Sequence, residues 1–164
     1  MLRTRIGVMV PSTNTTLGGN LARVPPPAVT LHSHRLWMTN DANDDEAFAQ
    51  VNDPIETAAR YFGTARRDVV AYGCTRRLEA PAGREMPALM CAAAGAPAVA
   101  TSLAVVEALR VFHARRISVV TPYPQWNNRR LRPYFERAGF EVLNGDGEPA
   151  AAASGNQSIN DQEP

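Results

Sequence analysis

The segment Asp68-Val69-Val70-Ala71-Tyr72-Gly73-Cys74-Thr75 is the part of this chain that indicates most about its fold and its site. The apolar or small residues that follow Asp68 are typical of a short buried strand in a parallel sheet. This strand leads directly into a Gly-Cys-Thr turn. Because ligands of open α/β proteins bind outside the carboxyl ends of the strands, Cys74 is predicted to lie at a ligand-binding edge.

Two interpretations of Cys74 follow from its position. Backbone N–H groups of the turn would favour a thiolate, and the hydroxyl of Thr75 would be placed to hold an oxyanion. The alternative is a structural cysteine, because a free cysteine packs like a small hydrophobic residue. Position alone does not choose between the two, and other parts of the chain favour the first.

Strand and helix patterns alternate along residues 5–143, beginning with the apolar run Ile6-Gly7-Val8-Met9-Val10 that Pro11 ends. Further strands are predicted at 28–38, 97–101, 116–121 and 140–143, and helices at 17–21, 46–65, 84–94, 103–113 and 125–138. The strand at 28–38 is predicted to be less buried and near an edge. Such alternation requires a parallel sheet with right-handed crossovers, so we predict an α/β fold with a flavodoxin-like lobe.

A polar loop, Pro11-Ser12-Thr13-Asn14-Thr15-Thr16, follows the first predicted strand. Its hydroxyl and amide groups are neutral hydrogen-bond donors and acceptors. Helix capping and turn formation explain such residues equally well, and for any single hydroxyl they are the favoured explanation. For Asn14, at the centre of the loop, ligand contact is favoured. No G-x-G-x-x-G pattern occurs here, so the loop does not indicate dinucleotide binding.

The composition excludes several classes of protein. The net charge of the 164 residues is +1, which indicates neither nucleic-acid nor membrane binding. All 17 basic residues are arginine, so neither a Schiff-base lysine nor a Walker-type lysine is present. Two cysteines and three scattered histidines form no zinc pattern. The apolar run near the amino terminus is too short for a signal peptide, so we expect a cytoplasmic protein.

The composition changes after Asn144. Residues 145–164 contain a single large apolar side chain, Ile159, so we predict a disordered tail. Residues 1–144 are predicted to form the α/β domain, with a first lobe that ends near residue 113 and the start of a second lobe at 114–144.

Four stretches together resemble a known family: residues 5–16, 71–75 (Ala-Tyr-Gly-Cys-Thr), 97–102 (Pro-Ala-Val-Ala-Thr-Ser) and 119–128 (Val-Val-Thr-Pro-Tyr-Pro-Gln-Trp-Asn-Asn). They resemble maleate cis-trans isomerase and, more loosely, arylmalonate decarboxylase, both of the aspartate/glutamate/hydantoin racemase superfamily. The resemblance spans residues 3–143 with the motifs in the same order. It implies a two-lobed α/β fold of the Asp/Glu racemase type, an active site between the lobes and no cofactor.

The resemblance also implies roles for individual residues. Cys74 is similar to the first catalytic cysteine of the family, and Asn14 to the amide that holds a substrate carboxylate. Thr75 resembles the hydroxyl of a carboxylate cradle, and Tyr123 and Asn128 resemble a pair that contacts the substrate. Ser12, in the same loop as Asn14, completes the predicted substrate-binding set.

The sequence departs from the family pattern in two places. Arg76 stands where the family has a small hydroxyl residue, which changes the predicted cradle, although an arginine can itself hold a carboxylate. Family members are also longer and carry a second cysteine in their later half, so the second lobe is predicted to be incomplete here. Cys91 is no substitute for that cysteine, because it lies about 10 Å down the next predicted helix, where we predict a core residue.

These features predict a cysteine-dependent isomerase that acts on a small dicarboxylate such as maleate, and they leave homo-oligomerisation open. One alternative is a non-catalytic, truncated chain or one that a partner completes. A further alternative is an enzyme of the arylmalonate decarboxylase or racemase type. Racemisation is less favoured because it needs two acid–base groups on opposite faces of the substrate, and only one candidate, Cys74, is evident.

Overall fold

The computed structural model of the protein describes residues 4–37, 52–75, 85–121, 123 and 125–144. In chain order, its elements are β1 (Thr4–Pro11), α1 (Leu17–Ala22), β2 (Val29–Leu36), α2 (Asn52–Thr64), β3 (Val69–Tyr72), α3 (Glu85–Ala94), β4 (Ala98–Ala100), α4 (Thr101–Val111), β5 (Arg116–Ser118), α5 (Gln125–Asn128), α6 (Leu131–Arg137) and β6 (Glu141–Asn144). The predicted α/β class with parallel sheets is confirmed. Arg76, the amino-terminal part of the helix predicted at 46–65 and the predicted tail at 145–164 lie outside the described residues.

The described chain divides into two compact units. The first contains the residues up to Cys74, together with α3, β4 and Thr101. The second contains Thr75 and the residues from Ser102 onward. The chain therefore passes from the first unit to the second at the Cys74–Thr75 peptide bond, and again between Thr101 and Ser102.

A four-stranded parallel sheet in the order β2-β1-β3-β4 forms the first unit. The apolar run of β1 lies between β2 and β3, and its residues Val8, Met9 and Val10 are buried. Strand β2 is an edge strand, as predicted. Strand β3 lies beside β1 with Tyr72 opposite Met9, and beyond this pair the N–H of Gly73 donates to the Met9 carbonyl at 2.9 Å. The carboxyl ends of β1 and β3 are therefore neighbours at one edge of the sheet.

Helices α2 and α3 complete the core of the first unit. Helix α2 buries Ile55, Ala58, Ala59 and Phe62, which recur at spacings of three and four residues. Glycine allows close packing on both sides of this helix. A Cβ atom at Gly7 of β1 would lie 2.8 Å from the ring of Phe62, and one at Gly63 of α2 would lie 2.8 Å from the carbonyl oxygen of Ala94.

Charged residues join the beginnings of β1 and β3. The backbone N–H of Arg5 donates to the Asp68 carboxylate at 2.6 Å, and the N–H of Asp68 donates back to the Arg5 carbonyl at 2.9 Å. The Arg5 N–H, and then its side chain and the charge of Arg67, lower the pKa of Asp68. Partial burial, and then the charges of Arg67 and Arg5, lower the pKa of His32, which hydrogen bonds to Thr30 on the same strand.

The second unit has a smaller sheet, in which β5 and β6 pair in parallel. Its core consists of one residue of α4, one of α6 and three on or beside the strands: Val106, Phe135, Ile117, Phe140 and Val142. The Nη1 atom of Arg132 donates to the Val142 carbonyl at 2.7 Å and so ties α6 to β6.

The prediction that Cys91 is a core residue is wrong. Helix α3 buries Met86, Met90 and Ala94, which are spaced four residues apart and mark one face of the helix. Cys91 follows Met90 directly and is therefore rotated by about 100° around the helix axis. Its side chain is exposed. Within the described ranges, no helix is both long and apolar enough to cross a membrane.

Candidate active site

Cys74 lies two residues beyond the end of β3, and its side chain is 8% exposed. It belongs to the buried cluster of the first unit, together with Met9, Leu36 and Met86. The backbone that leads to it is held by two neighbours. The Gly73 N–H donates to β1, and the Thr101 hydroxyl donates to the Tyr72 carbonyl at 2.8 Å. The thiol is thus fixed at the carboxyl edge of the sheet, as predicted for this strand end.

The loop that carries Ser12 and Asn14 follows β1 at the same edge. The N–H of Ser12 donates to the Leu36 carbonyl at 2.7 Å, so the start of the loop is held by the end of β2. At its other end, the loop leads into α1. A Cβ atom at Gly73 would collide with Cδ2 of Leu17, the first residue of α1. The residue before Cys74 therefore packs directly against the end of this loop.

The side-chain amide of Asn14 caps α1. Its Oδ1 accepts hydrogen bonds from the N–H of Leu17 at 2.9 Å, the N–H of Thr16 at 3.1 Å and the hydroxyl of Thr16 at 3.2 Å. These donors fix which end of the amide is oxygen. Among the described residues, no hydrogen bond involves the Nδ2 of Asn14. The capping and ligand-binding interpretations of this residue are therefore compatible, because each uses a different atom.

Sequence reasoning did not identify Arg35, which supports the same loop. Its Nη1 atom donates to the carbonyl oxygens of Ser12 and Asn14, both at 3.0 Å, and lies 3.5 Å from that of Pro11. Arg35 is the penultimate residue of β2 and lies opposite Val10 of β1. The pairing of these two strands in parallel is the signal that would have placed its side chain near the loop.

The remaining predicted residues lie in the second unit, where they form a hydrogen-bonded group. The hydroxyl of Thr75 hydrogen bonds to the hydroxyl of Tyr123. Asn128 is buried, accepts the Thr121 hydroxyl at its Oδ1 and donates from Nδ2 to the Tyr123 carbonyl at 2.9 Å. The N–H of Tyr123 in turn donates to Thr121 at 3.2 Å. Asn128 and Thr121 therefore set the position of the tyrosine.

Each unit thus brings together a different part of the predicted site. Ser12, Asn14 and Cys74 lie at one sheet edge of the first unit, and Thr75, Tyr123 and Asn128 lie in one hydrogen-bonded group of the second. The donors in both groups are neutral amides and hydroxyls, a set that suits carboxylate oxygens. Within the part of the chain that the structure describes, no group of three or more His, Cys, Asp or Glu residues could hold a metal ion.

The parallel sheets and the thiol at a strand's carboxyl end define an α/β protein of the Asp/Glu racemase fold with a candidate cysteine site. The model of one family, described as arylmalonate decarboxylase, matches residues 6–150. The chain belongs to this family.

The chain is similar to maleate isomerases in sequence and structure. That of Pseudomonas putida is 31% identical over 153 residues, which cover 84% of this chain and 60% of the relative. The solved maleate isomerase Iso from Pseudomonas putida S16 is 25% identical, with a TM-score of 0.75 over 85% of this chain and 61% of that one. A cysteine-to-serine mutant of Nocardia farcinica maleate cis-trans isomerase, solved with a covalently bound succinylcysteine intermediate, is 26% identical, with a TM-score of 0.74 over the same shares. The chain thus spans about three fifths of the length of these relatives.

Proposed function

We propose that the protein takes part in the cysteine-dependent cis–trans isomerisation of a small dicarboxylate of the maleate type. The observation that carries the proposal is the position of Cys74 at the carboxyl edge of the sheet, beside a loop in which Nδ2 of Asn14 makes no hydrogen bond to a described residue. Its membership of the family and its similarity to maleate isomerases support the choice of substrate class.

Cys74 is the nucleophile in this proposal. Its thiolate adds to one olefinic carbon of the cis diacid, and a carbon–sulfur bond forms. The π electron pair moves to the other olefinic carbon and is delocalised into the adjacent carboxylate. The bond between the two carbons is now single and rotates. The electron pair then re-forms the double bond, the thiolate leaves, and the trans diacid is released without net proton transfer.

The neutral donors hold the carboxylates of the substrate. In the first unit, Nδ2 of Asn14 is the donor, and Ser12 belongs to the same loop. In the second unit, the hydroxyls of Thr75 and Tyr123 are the proposed donors. Asn128 acts on the substrate through Tyr123, because its amide oxygen and nitrogen bond to Thr121 and to the tyrosine carbonyl. Donors of this kind stabilise the charge that develops on the carboxylate during addition.

The family match favours a second candidate, decarboxylation of an arylmalonate. The carbanion left by loss of carbon dioxide would then need a protonating cysteine, a role that the resemblance gives to a cysteine in the later half of family members and not to Cys74. The two candidates predict different products from different substrates. An assay with maleate and with phenylmalonate, following fumarate formation and carbon dioxide release respectively, separates them.

Formation of a covalent adduct tests the main proposal directly. The full chain is incubated with maleate and quenched in acid, which protonates the carbanion and leaves a stable succinyl thioether. Peptide mass mapping then locates the adduct, while absorbance follows conversion of maleate to fumarate. We expect the adduct on Cys74 in the wild-type chain and in Cys91→Ser, and none in Cys74→Ser.

Cys91 serves as an internal control for nonspecific reaction in this experiment. Cys91 is exposed and Cys74 is buried, so a nonspecific reaction with maleate would favour Cys91. Equal or greater modification of Cys91 would contradict the proposal. The complete absence of an adduct would support the alternative of a non-catalytic chain.

A further inference from the structure

Arg35 makes several hydrogen bonds to the loop that carries Ser12 and Asn14. A single nitrogen, Nη1, donates to the carbonyl oxygens of Ser12 and Asn14 at 3.0 Å and approaches that of Pro11 at 3.5 Å. Hydrogen bonds from a charged donor are about twice as strong as those between neutral groups. The guanidinium group therefore draws three carbonyls of the loop toward one point.

The turn that contains these carbonyls also carries the Asn14 side chain. The N–H of Asn14 donates to the Pro11 carbonyl at 3.0 Å, which closes the turn that Arg35 holds. From this backbone, Oδ1 of Asn14 reaches the N–H of Leu17 at 2.9 Å. The Nδ2 atom is thereby left as the available donor. Among the described residues, the hydrogen bonds from Arg35 to this loop go to backbone carbonyls, and the same stretch of backbone carries the Asn14 amide.

We propose that Arg35 is a positioning residue for carboxylate binding, acting by holding the Pro11–Asn14 turn so that the Asn14 amide caps α1 and presents its nitrogen. This inference rests on the proposed function, because it takes the ligand to be a dicarboxylate that reacts with Cys74. It goes beyond that function by assigning the role to a residue of the edge strand β2, outside the loop itself.

Arg35 can be changed without disturbing the core. Its side chain is exposed, so replacement leaves no buried cavity. The chain also offers a matched control, since Arg23 is exposed at the other end of α1, and no hydrogen bond joins its side chain to a described residue. Arg23→Gln and Arg35→Gln remove the same charge, but only Arg35→Gln removes the contacts with the loop.

The experiment compares the rates at which Cys74 reacts with maleate and with iodoacetamide. Iodoacetamide is neutral and needs no carboxylate-binding group. In Arg35→Gln, we expect the rate of maleate addition to fall about tenfold, the loss that follows when hydrogen bonds from a charged donor are removed. Arg35→Lys keeps the charge and one donor group, and should show an intermediate rate. Arg23→Gln should match the wild type, and the iodoacetamide rate should be the same in all four chains.

Amide hydrogen exchange provides a second measurement that does not depend on the reaction. The N–H of Leu17 should exchange faster in Arg35→Gln than in Arg23→Gln, because the cap from Asn14 loosens. Equal maleate rates in these two variants would overturn the inference, as would a parallel fall in the iodoacetamide rate. If the wild-type chain forms no adduct with maleate, the proposed function is overturned, and the inference with it. If the wild-type chain forms the adduct but Arg35→Gln reacts as fast as Arg23→Gln, only the inference is overturned.

Discussion

Asn128 holds Tyr123 by its main chain: the Nδ2 atom of the asparagine donates to the tyrosine carbonyl at 2.9 Å, and its Oδ1 accepts the hydroxyl of Thr121. The asparagine is 3% exposed, so neither hydrogen bond can be replaced by water without rearrangement. One buried amide thereby fixes the backbone from which the Tyr123 hydroxyl reaches Thr75.

Asn128→Ala should therefore destabilise the protein. The change removes the hydrogen bonds that the Thr121 hydroxyl and the Tyr123 carbonyl make to the asparagine, at a cost of about 1–3 kcal/mol in the free energy of unfolding. Urea unfolding measures this loss. Gln125→Ala, which truncates an exposed residue in the first turn of the same helix, is the control and should change stability little. Similar losses in both variants would contradict the role assigned to Asn128.

Gly63→Ala should destabilise the first unit, because the added Cβ atom on α2 would clash with the backbone of α3. The added Cβ would lie 2.8 Å from the carbonyl oxygen of Ala94, so α2 and α3 would have to move apart. We expect a loss of about 1–3 kcal/mol, as for other overpacked positions. Gly18→Ala in α1 is the matched control, since its Cβ would meet nothing within 4 Å. That variant should instead be more stable by up to about 1 kcal/mol.

The stability of the folded chain should fall as the pH is lowered below 6.5, and His32 should contribute to that slope. Partial burial and the charges of Arg67 and Arg5 lower its pKa from 6.5. Between the lowered pKa and 6.5, the unfolded chain binds more protons than the folded chain, so stability rises with pH in this window. His32→Gln should reduce the slope there and leave it unchanged above 6.5. Urea unfolding across this range measures the slope, and an identical slope in the variant would contradict the prediction.

Asp68 should contribute to the pH dependence of stability in a more acidic pH range than His32. Its pKa is lowered from 3.8, chiefly by the hydrogen bond from the Arg5 N–H. The stabilisation it provides is present above 3.8 and is lost as the pH falls through the lowered pKa. Asp68→Asn should therefore be less stable than the wild type near neutral pH, and the difference should shrink on acidification. Glu107→Gln removes a charge from an exposed residue and is the control. A difference for Asp68→Asn that does not depend on pH would argue against an ionic contribution.

The sequence predicted the elements of this fold well because their patterns are local. Strand β1 and strand β3 are short apolar runs between breakers, and β2 was correctly predicted at an edge from its mixed polarity. The predicted helix at 125–138 is in fact two helices, α5 and α6. Pro133 explains the break, because a proline has no N–H to donate and is tolerated only in a first turn. This signal was present in the sequence.

The candidate site was only partly predictable. Cys74 and Asn14 could be found because each directly follows a strand, and the ends of parallel strands meet at one edge. Arg35 could not, since its contact with the loop depends on the pairing of β2 with β1, which no local pattern specifies. The exposure of Cys91 was missed because a single cysteine in an alanine-rich helix does not mark which face is buried.

The Asn14 amide has two roles that depend on different atoms: its oxygen caps α1, and its nitrogen is the donor proposed for the ligand. An aspartate there would keep an oxygen to cap α1 and so preserve the scaffold, but it would replace the Nδ2 donor with a second acceptor and repel an anionic ligand. The single substitution Asn14→Asp would thus change the ligand preference of a descendant chain while the cap of α1, and with it the fold, is kept.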